Sequence, residues 1–101
     1  MNTIIASFRI IEGKEAEAEE AMQKHVAAVE ANEPGVLTYI FMRAAKDPAQ
    51  VTVFEVYADD DAVAAHRAAE HQVAFGKLFV KVFDQATVKI SRQERVSGFT
   101  R

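Results

Sequence analysis

The chain has no cysteine and no tryptophan, and only two prolines, four glycines and three histidines among its 101 residues. Without cysteine there is no disulfide framework, thiolate metal site or cysteine nucleophile, and the redox compartment stays open. The four glycines are dispersed, so neither a phosphate-cradling loop nor a dinucleotide fingerprint is present, and there is no nucleophile elbow. Flavin, nicotinamide and nucleotide chemistry therefore find no support. Positive charge is also scarce: the net charge is -3 and the Lys and Arg residues are scattered. No basic stripe tracks phosphates and no cationic amphipathic helix suits a membrane surface, so neither nucleic acid nor membrane is an expected partner. No apolar run approaches the roughly 20 residues that span a bilayer. Met1-Asn2-Thr3 leads straight into a β-rich stretch without the basic region and cleavage site of a secretory signal, which makes the cytoplasm the expected location.

What is present reads as one α+β domain over residues 1–101, with 50% hydrophobic residues to build a modest core. Thr3 to Ile11 is rich in Ile and Phe and predicts a first strand ending at Gly13. Lys14 to about Asn32 predicts a helix, with Glu15 and Glu17 in its first turn and Ala18, Met22, His25 and Val29 along one inward stripe. Glu33-Pro34-Gly35 stops it. Val36–Arg43 and Val51–Ala58 predict two strands, with Lys46-Asp47-Pro48 in the hairpin loop between them. Asp59-Asp60-Asp61 caps a short helix carrying Val63, His66 and Ala69, and a second helical stripe follows through Phe75, Leu78, Phe79, Val82 and Phe83. Gly76 leaves open where one helical piece ends and the next begins. A last strand covers roughly Ala86 to Glu94. The order β-α-β-β-α-β is the ferredoxin-like arrangement, an antiparallel sheet with helices on one face.

Helices on one face would leave a monomer's other face polar, and the strands are not patterned that way. Leu37, Tyr39 and Phe41 share one face of the second strand while Ile40 and Met42 take the other; on the third, Val53 and Tyr57 oppose Phe54 and Val56. Such an apolar surface predicts a homodimer packed through the open sheet face.

Candidate chemistry rests on His25, His66, His71, Glu55 and Tyr39. His25 on the inward helical stripe also reads as a core-edge histidine with one ring nitrogen satisfied, and on spacing alone that outweighs catalysis. His66 faces the same choice. Glu55 interrupts an apolar strand and, if buried, needs a partner such as a histidine or a backbone amide. His66 and His71 are five apart, so on a continuous helix they would diverge around the axis, and no metal site is expected from them.

The run EPGVLTYIFMR, then KDP, then VTVFEVYADDDAVAAHRAAEH resembles the antibiotic biosynthesis monooxygenase family of dimeric α+β barrels, and KHVAAV and DDDAVAAH are most similar to its quinol-monooxygenase and autoinducer-2-processing branch. The resemblance covers nearly the whole chain. It implies a cleft between helices and sheet in which small electron-rich aromatics such as phenols, quinols or anthrones are oxidised with O2 and no cofactor. It also implies His25 or His66 as the base, Glu55 as the orienting carboxylate, and Tyr39, Phe41, His71 and Phe79 as substrate contacts. The haem-degrading relatives resemble one another in an Asn, Trp and His set; this chain lacks tryptophan and has Ser7 near the Asn position, which disfavours haem degradation. Two other readings stay open: an isomerase moving protons on a small keto compound, and a non-catalytic barrel that binds a ligand.

Overall fold

In the computed structural model, which describes residues 1–101, alternation in the first strand buries Ile4, Ala6, Phe8 and Ile10 on one side of β1 (Asn2–Ile10). Gly13, at φ 87, turns the chain into α1 (Glu15–Asn32), whose inner face buries Ala18, Met22, His25 and Val29 as the stripe predicts. β2 (Val36–Ala44) and β3 (Asp47–Tyr57) form a hairpin, α2 (Asp60–Ala68) and α3 (Glu70–Val82) follow, and β4 (Phe83–Gln93) closes the sheet. The sheet order is β2-β3-β1-β4 and every pairing is antiparallel, the ferredoxin-like layout with the helices packed on one face. No helix is long and apolar enough to cross a membrane.

The register fixes which side chains share a row. Ile4, Glu55 and Tyr39 lie side by side across three strands, and Ala6, Val53 and Phe41 form the next row. Both rows face the helices, where Tyr39 and Phe41 pack against a core of β1, α1, β3 and α3 residues. Phe8 meets Phe79 and Phe83 edge-on at 4.9 and 4.8 Å between ring centroids. Burying side chains of this size contributes roughly 1.5–3 kcal/mol each.

Four expectations need correction. Leu37 does not join Tyr39 and Phe41: the register slips between Val36 and Thr38, and Leu37 is left out of the ladder, exposed. The hairpin loop is tighter than predicted, because Asp47 and Pro48 already belong to β3 and the Asp47 carboxylate accepts from Arg9 at 2.7 Å. Ala69 is not carried on the short helix: its backbone is extended at φ -64 and ψ 141 and breaks α2 from α3, which runs unbroken through Gly76. Phe83 leaves the helix and begins β4, since its buried ring packs on Phe8 and Phe79 whether or not the backbone coils.

The open sheet face is apolar in a stripe rather than throughout. Ile5, Phe54 and Ile40 form one row with Met42 beside it, and Ile40 and Met42 are 47% and 44% exposed. Hydroxyls flank that row, Ser7 and Thr52 on one side, Thr3 and Thr38 on the other. Arg95, beyond β4, donates to Thr3 Oγ1 at 3.1 Å, so the chain's own tail covers part of the Thr3–Val56 row.

The Glu33-Pro34-Gly35 turn lies against α2. A Cβ on Gly35 would stand 2.7 Å from the Ala62 Cβ, and the Gly35 carbonyl accepts from Ala58 N at 2.8 Å. The turn and α2 approach this closely only with glycine there. Gly35→Ala is therefore expected to destabilise the fold by about 1–3 kcal/mol in urea titrations, the cost of overpacking; unchanged stability would mean that the turn has room to move.

Candidate active site

Between the helices and the sheet lies a cleft of about 330 Å³. Tyr39, Phe41, Glu55 and Tyr57 rise from the sheet and His66, Arg67, Gln72 and Phe79 descend from the helices. Val88 and Ile90 line its open edge, where β4 runs beyond helical cover and Ile90 is 68% exposed. A second groove of about 450 Å³ runs between α1 and the edge strand β2, but its charged lining is limited to Glu19 and Arg43, which pair with each other at 3.8 Å. Three of the buried titratable groups shifted by their surroundings, Tyr39, Glu55 and Tyr57, line the inner cleft and the fourth, His25, lies beside Tyr39, which makes it the candidate site.

Asp59 starts α2 by accepting from Ala62 N at 2.8 Å, which sets the helix phase that turns His66 inward. The helix then breaks at Ala69 and α3 begins in a new direction. This break undoes the divergence expected for a continuous helix: His66 and His71 both reach the carboxylate of Glu33. His66 Nδ1 donates to Glu33 Oε1 at 2.9 Å and lies 3.1 Å from Oε2, and His71 Nε2 donates to Oε2. Glu33 is the residue that ends α1, its own N–H closing the helix on the Val29 carbonyl at 2.9 Å. Its side chain and that of His66 are almost fully buried, whereas His71 is 19% exposed. An ionised carboxylate only accepts, so a neutral His66 carries its proton on Nδ1 and leaves Nε2 as an acceptor in the cleft. No group of three or more His, Asp or Glu side chains is arranged to hold a metal ion.

Sequence reasoning missed Glu33, which reads as part of a helix-stop signal, and expected the partner of Glu55 to be a histidine or a backbone amide. Glu55 instead accepts from the Tyr57 hydroxyl at 2.6 Å, and that phenol, two residues along the same strand, is the partner its burial required. Desolvation raises the Glu55 carboxyl above the usual carboxylate range, opposed by the Tyr57 hydrogen bond and by His66 and Arg67. Burial likewise raises both phenols: Tyr39 also faces the Glu55 charge, and Tyr57 bonds to that carboxylate. Phe41, Phe79 and Tyr39 line the cleft.

His25 stands behind that wall, stacked on Phe75 at 4.1 Å with the planes 8° apart, and 5.7 Å from Tyr39 between ring centroids. Burial, then the nearby His66, pushes its conjugate acid down to about 4, against the pull of Gln72. Gln72 lies near enough to favour the imidazolium, yet His25 Nε2 and Gln72 Oε1 are both buried without a hydrogen bond of regular geometry. His25 is thus neutral and poorly basic at pH 7.

His25 also makes stability depend on pH. Its folded value lies below the unfolded value of 6.5, so the unfolded chain binds the extra proton. The stability it contributes is complete above about pH 6.5 and is lost as pH falls toward 4, about 2–3 kcal/mol in all. Urea titrations of the protein and of His25→Leu at pH 7.5 and 4.5 check this: the variant is expected to lose less over that interval, and parallel losses would refute the assignment.

The sequence signature of the family "Antibiotic biosynthesis monooxygenase" matches residues 1–78. No curated protein matches the chain. Among solved structures, PA3566 from Pseudomonas aeruginosa is 25% identical with a TM-score of 0.84, the match covering 95% of this chain and 94% of that one. A Caulobacter crescentus protein classed provisionally as an antibiotic biosynthesis monooxygenase is 27% identical with a TM-score of 0.86, covering 95% and 90%. Rv0793 from Mycobacterium tuberculosis, at 15% identity and a TM-score of 0.84 over 98% of each chain, shares the fold. With the matched segment running from the first strand through most of the last helix, the chain belongs to the antibiotic biosynthesis monooxygenase family.

Proposed function

We propose that this protein is a monooxygenase that oxidises a small electron-rich aromatic of the phenol, hydroquinone or anthrone type with O2, using neither metal nor flavin. The observation that carries the reading is His66, which lines the cleft with Nδ1 committed to a buried carboxylate. That arrangement makes a fixed proton acceptor out of Nε2, facing a chamber walled by aromatic rings. Removing a proton from such a substrate leaves an anion able to pass one electron to O2. Recombination joins O2 to the carbon as a peroxide that takes back the base's proton; its O–O bond then breaks, one oxygen staying on the carbon while the other leaves as water with the two hydrogens the substrate gives up. The protein's part is to orient the ring, keep water out and hold the base.

In this reading His66 is the base and Glu33 orients it. Glu55, with one oxygen held by Tyr57, anchors a substrate hydroxyl, and Tyr39, Phe41 and Phe79 flank the ring. His71 lies outside the cleft, at the opening beside the Glu33 turn, and neutral His25 backs the wall. An oxygen electrode with metal-stripped protein and a panel of hydroquinones, naphthoquinols and anthrones is the test. Turnover is expected to consume O2, and His66→Ala should lower kcat by about 10²–10⁴-fold, the usual worth of a positioned general base. Turnover that persists unchanged without O2 would instead favour proton-transfer isomerisation; full activity in folded His66→Ala would remove the base.

We also propose that the Ile5–Phe54–Ile40 stripe is covered by a second copy of the sheet in two-fold symmetry, because a hydroxyl-flanked apolar row of this size favours exclusion from water. Analytical ultracentrifugation should show a dimer at micromolar protein and a shift toward monomer in Phe54→Lys. A monomeric wild type would refute the proposal.

A further inference from the structure

The contact of one buried carboxylate with two imidazoles sets a charge constraint. Glu33 carries a single negative charge, and both His66 and His71 bond to it. A buried imidazolium needs an opposite charge, and one carboxylate balances only one such cation at a time. The two histidines also differ in access to water. His66 is closed off inside and faces the cleft, whereas His71 lines an opening beside the Glu33 turn that is shared with Asp59, Asp61 and Glu70. One end of the set therefore meets substrate and the other meets solvent.

We propose that Glu33 and His71 form a charge-exchange pair for His66, in which the proton gained at the cleft is matched by one released to water from His71. This rests on the reading of His66 as base. At rest His71 is the imidazolium balanced by Glu33, and His66 is neutral. When His66 Nε2 takes the substrate's proton, the carboxylate turns to balancing His66, and His71 gives a ring proton to water. When His66 later returns its proton to the reduced oxygen, His71 takes one up again. Only proton transfers are involved, from the substrate's O–H or acidic C–H bond to nitrogen and between nitrogen and oxygen, and the buried set keeps constant net charge through the cycle. His71 is thus a positioning residue, acting through Glu33 without touching the substrate.

Other charges act on the same set. From α1 the His25 ring centroid lies 5.8 Å from that of His71 and 6.1 Å from that of His66. From β2 and β3 the phenols of Tyr39 and Tyr57 lie 5.3 and 5.5 Å from the His66 ring, with Glu55 bonded to Tyr57. Arg67 follows His66 on α2, and Asp59, Asp61 and Glu70 surround the outer opening. His25 is neutral above about pH 5, and Glu33 is the only carboxylate hydrogen-bonded to both rings.

Two measurements decide the matter, one independent of any substrate. Imidazole ¹⁵N shifts of the substrate-free protein, followed through a pH titration, should show His66 as the Nδ1–H tautomer at neutral pH. The second of the two rings should take up its proton only well below the first. In His71→Gln, which keeps a side chain able to donate to Glu33, His66 should protonate at higher pH than in the wild type, its competitor being gone. Independent titration of the two rings, or a His66 curve unmoved by His71→Gln, overturns the proposal even if the enzyme consumes O2. Where a substrate is oxidised, His71→Gln should lose about five- to tenfold in kcat/KM at pH 6 and less than about twofold at pH 8.5, because its base is trapped protonated only on the acid side. An equal loss at both pH values marks a merely structural role and also overturns the proposal. A wild type that oxidises none of the panel but shows the coupled titration would leave the charge exchange standing and sink the oxygenase reading instead.

Discussion

The burial of the Glu33 carboxylate between two imidazoles is the interaction on which this structure turns. An ionised carboxylate taken from water without partners costs several kcal/mol, and here the cost is met by donors from two other elements. The contact joins the end of α1, the turn into β2, the last turn of α2 and the first turn of α3. It therefore closes one end of the cleft, and the orientation of the only histidine among the cleft's lining residues follows from it.

The same burial separates the roles of the three histidines. His25, stacked on Phe75 without a carboxylate to bond, is driven toward the neutral form, while His66 is held by a charge. Glu55 completes the contrast, since its partner is a phenol rather than a cation and desolvation dominates its carboxyl. The two buried carboxylates of the site thus differ in environment, one between imidazoles and one against a hydroxyl. Such divergence fits the separate roles proposed for them, Glu33 orienting the base and Glu55 anchoring the substrate.

Most of the architecture was legible because it rests on periodicity. The inward stripe of α1, the strand at Thr3–Ile10, the two opposed faces of β3 and the aspartate cap of α2 all appear where local chemistry predicts them. The helix break was not legible, because Ala69 is neither glycine nor proline and the chain turns there to satisfy packing on both sides. That miss hid the site, since a continuous helix parts His66 from His71 and nothing in spacing brings Glu33 to either. The apolar row of the open face was legible; its hydroxyl flanks, and the bulge that frees Leu37, depend on strand register and emerge only from the pairing. Tyr57 as the partner of Glu55 could have been found, because residues two apart on a strand share a face.

The central claim, that the buried Glu33–His66 contact organises the site, is tested most directly by a double-mutant cycle. Unfolding free energies would be measured for Glu33→Gln, His66→Gln and the pair together at pH 7. The account predicts a coupling of about 1–3 kcal/mol, the range for residues sharing a buried network. Additivity to within about 0.5 kcal/mol would contradict it.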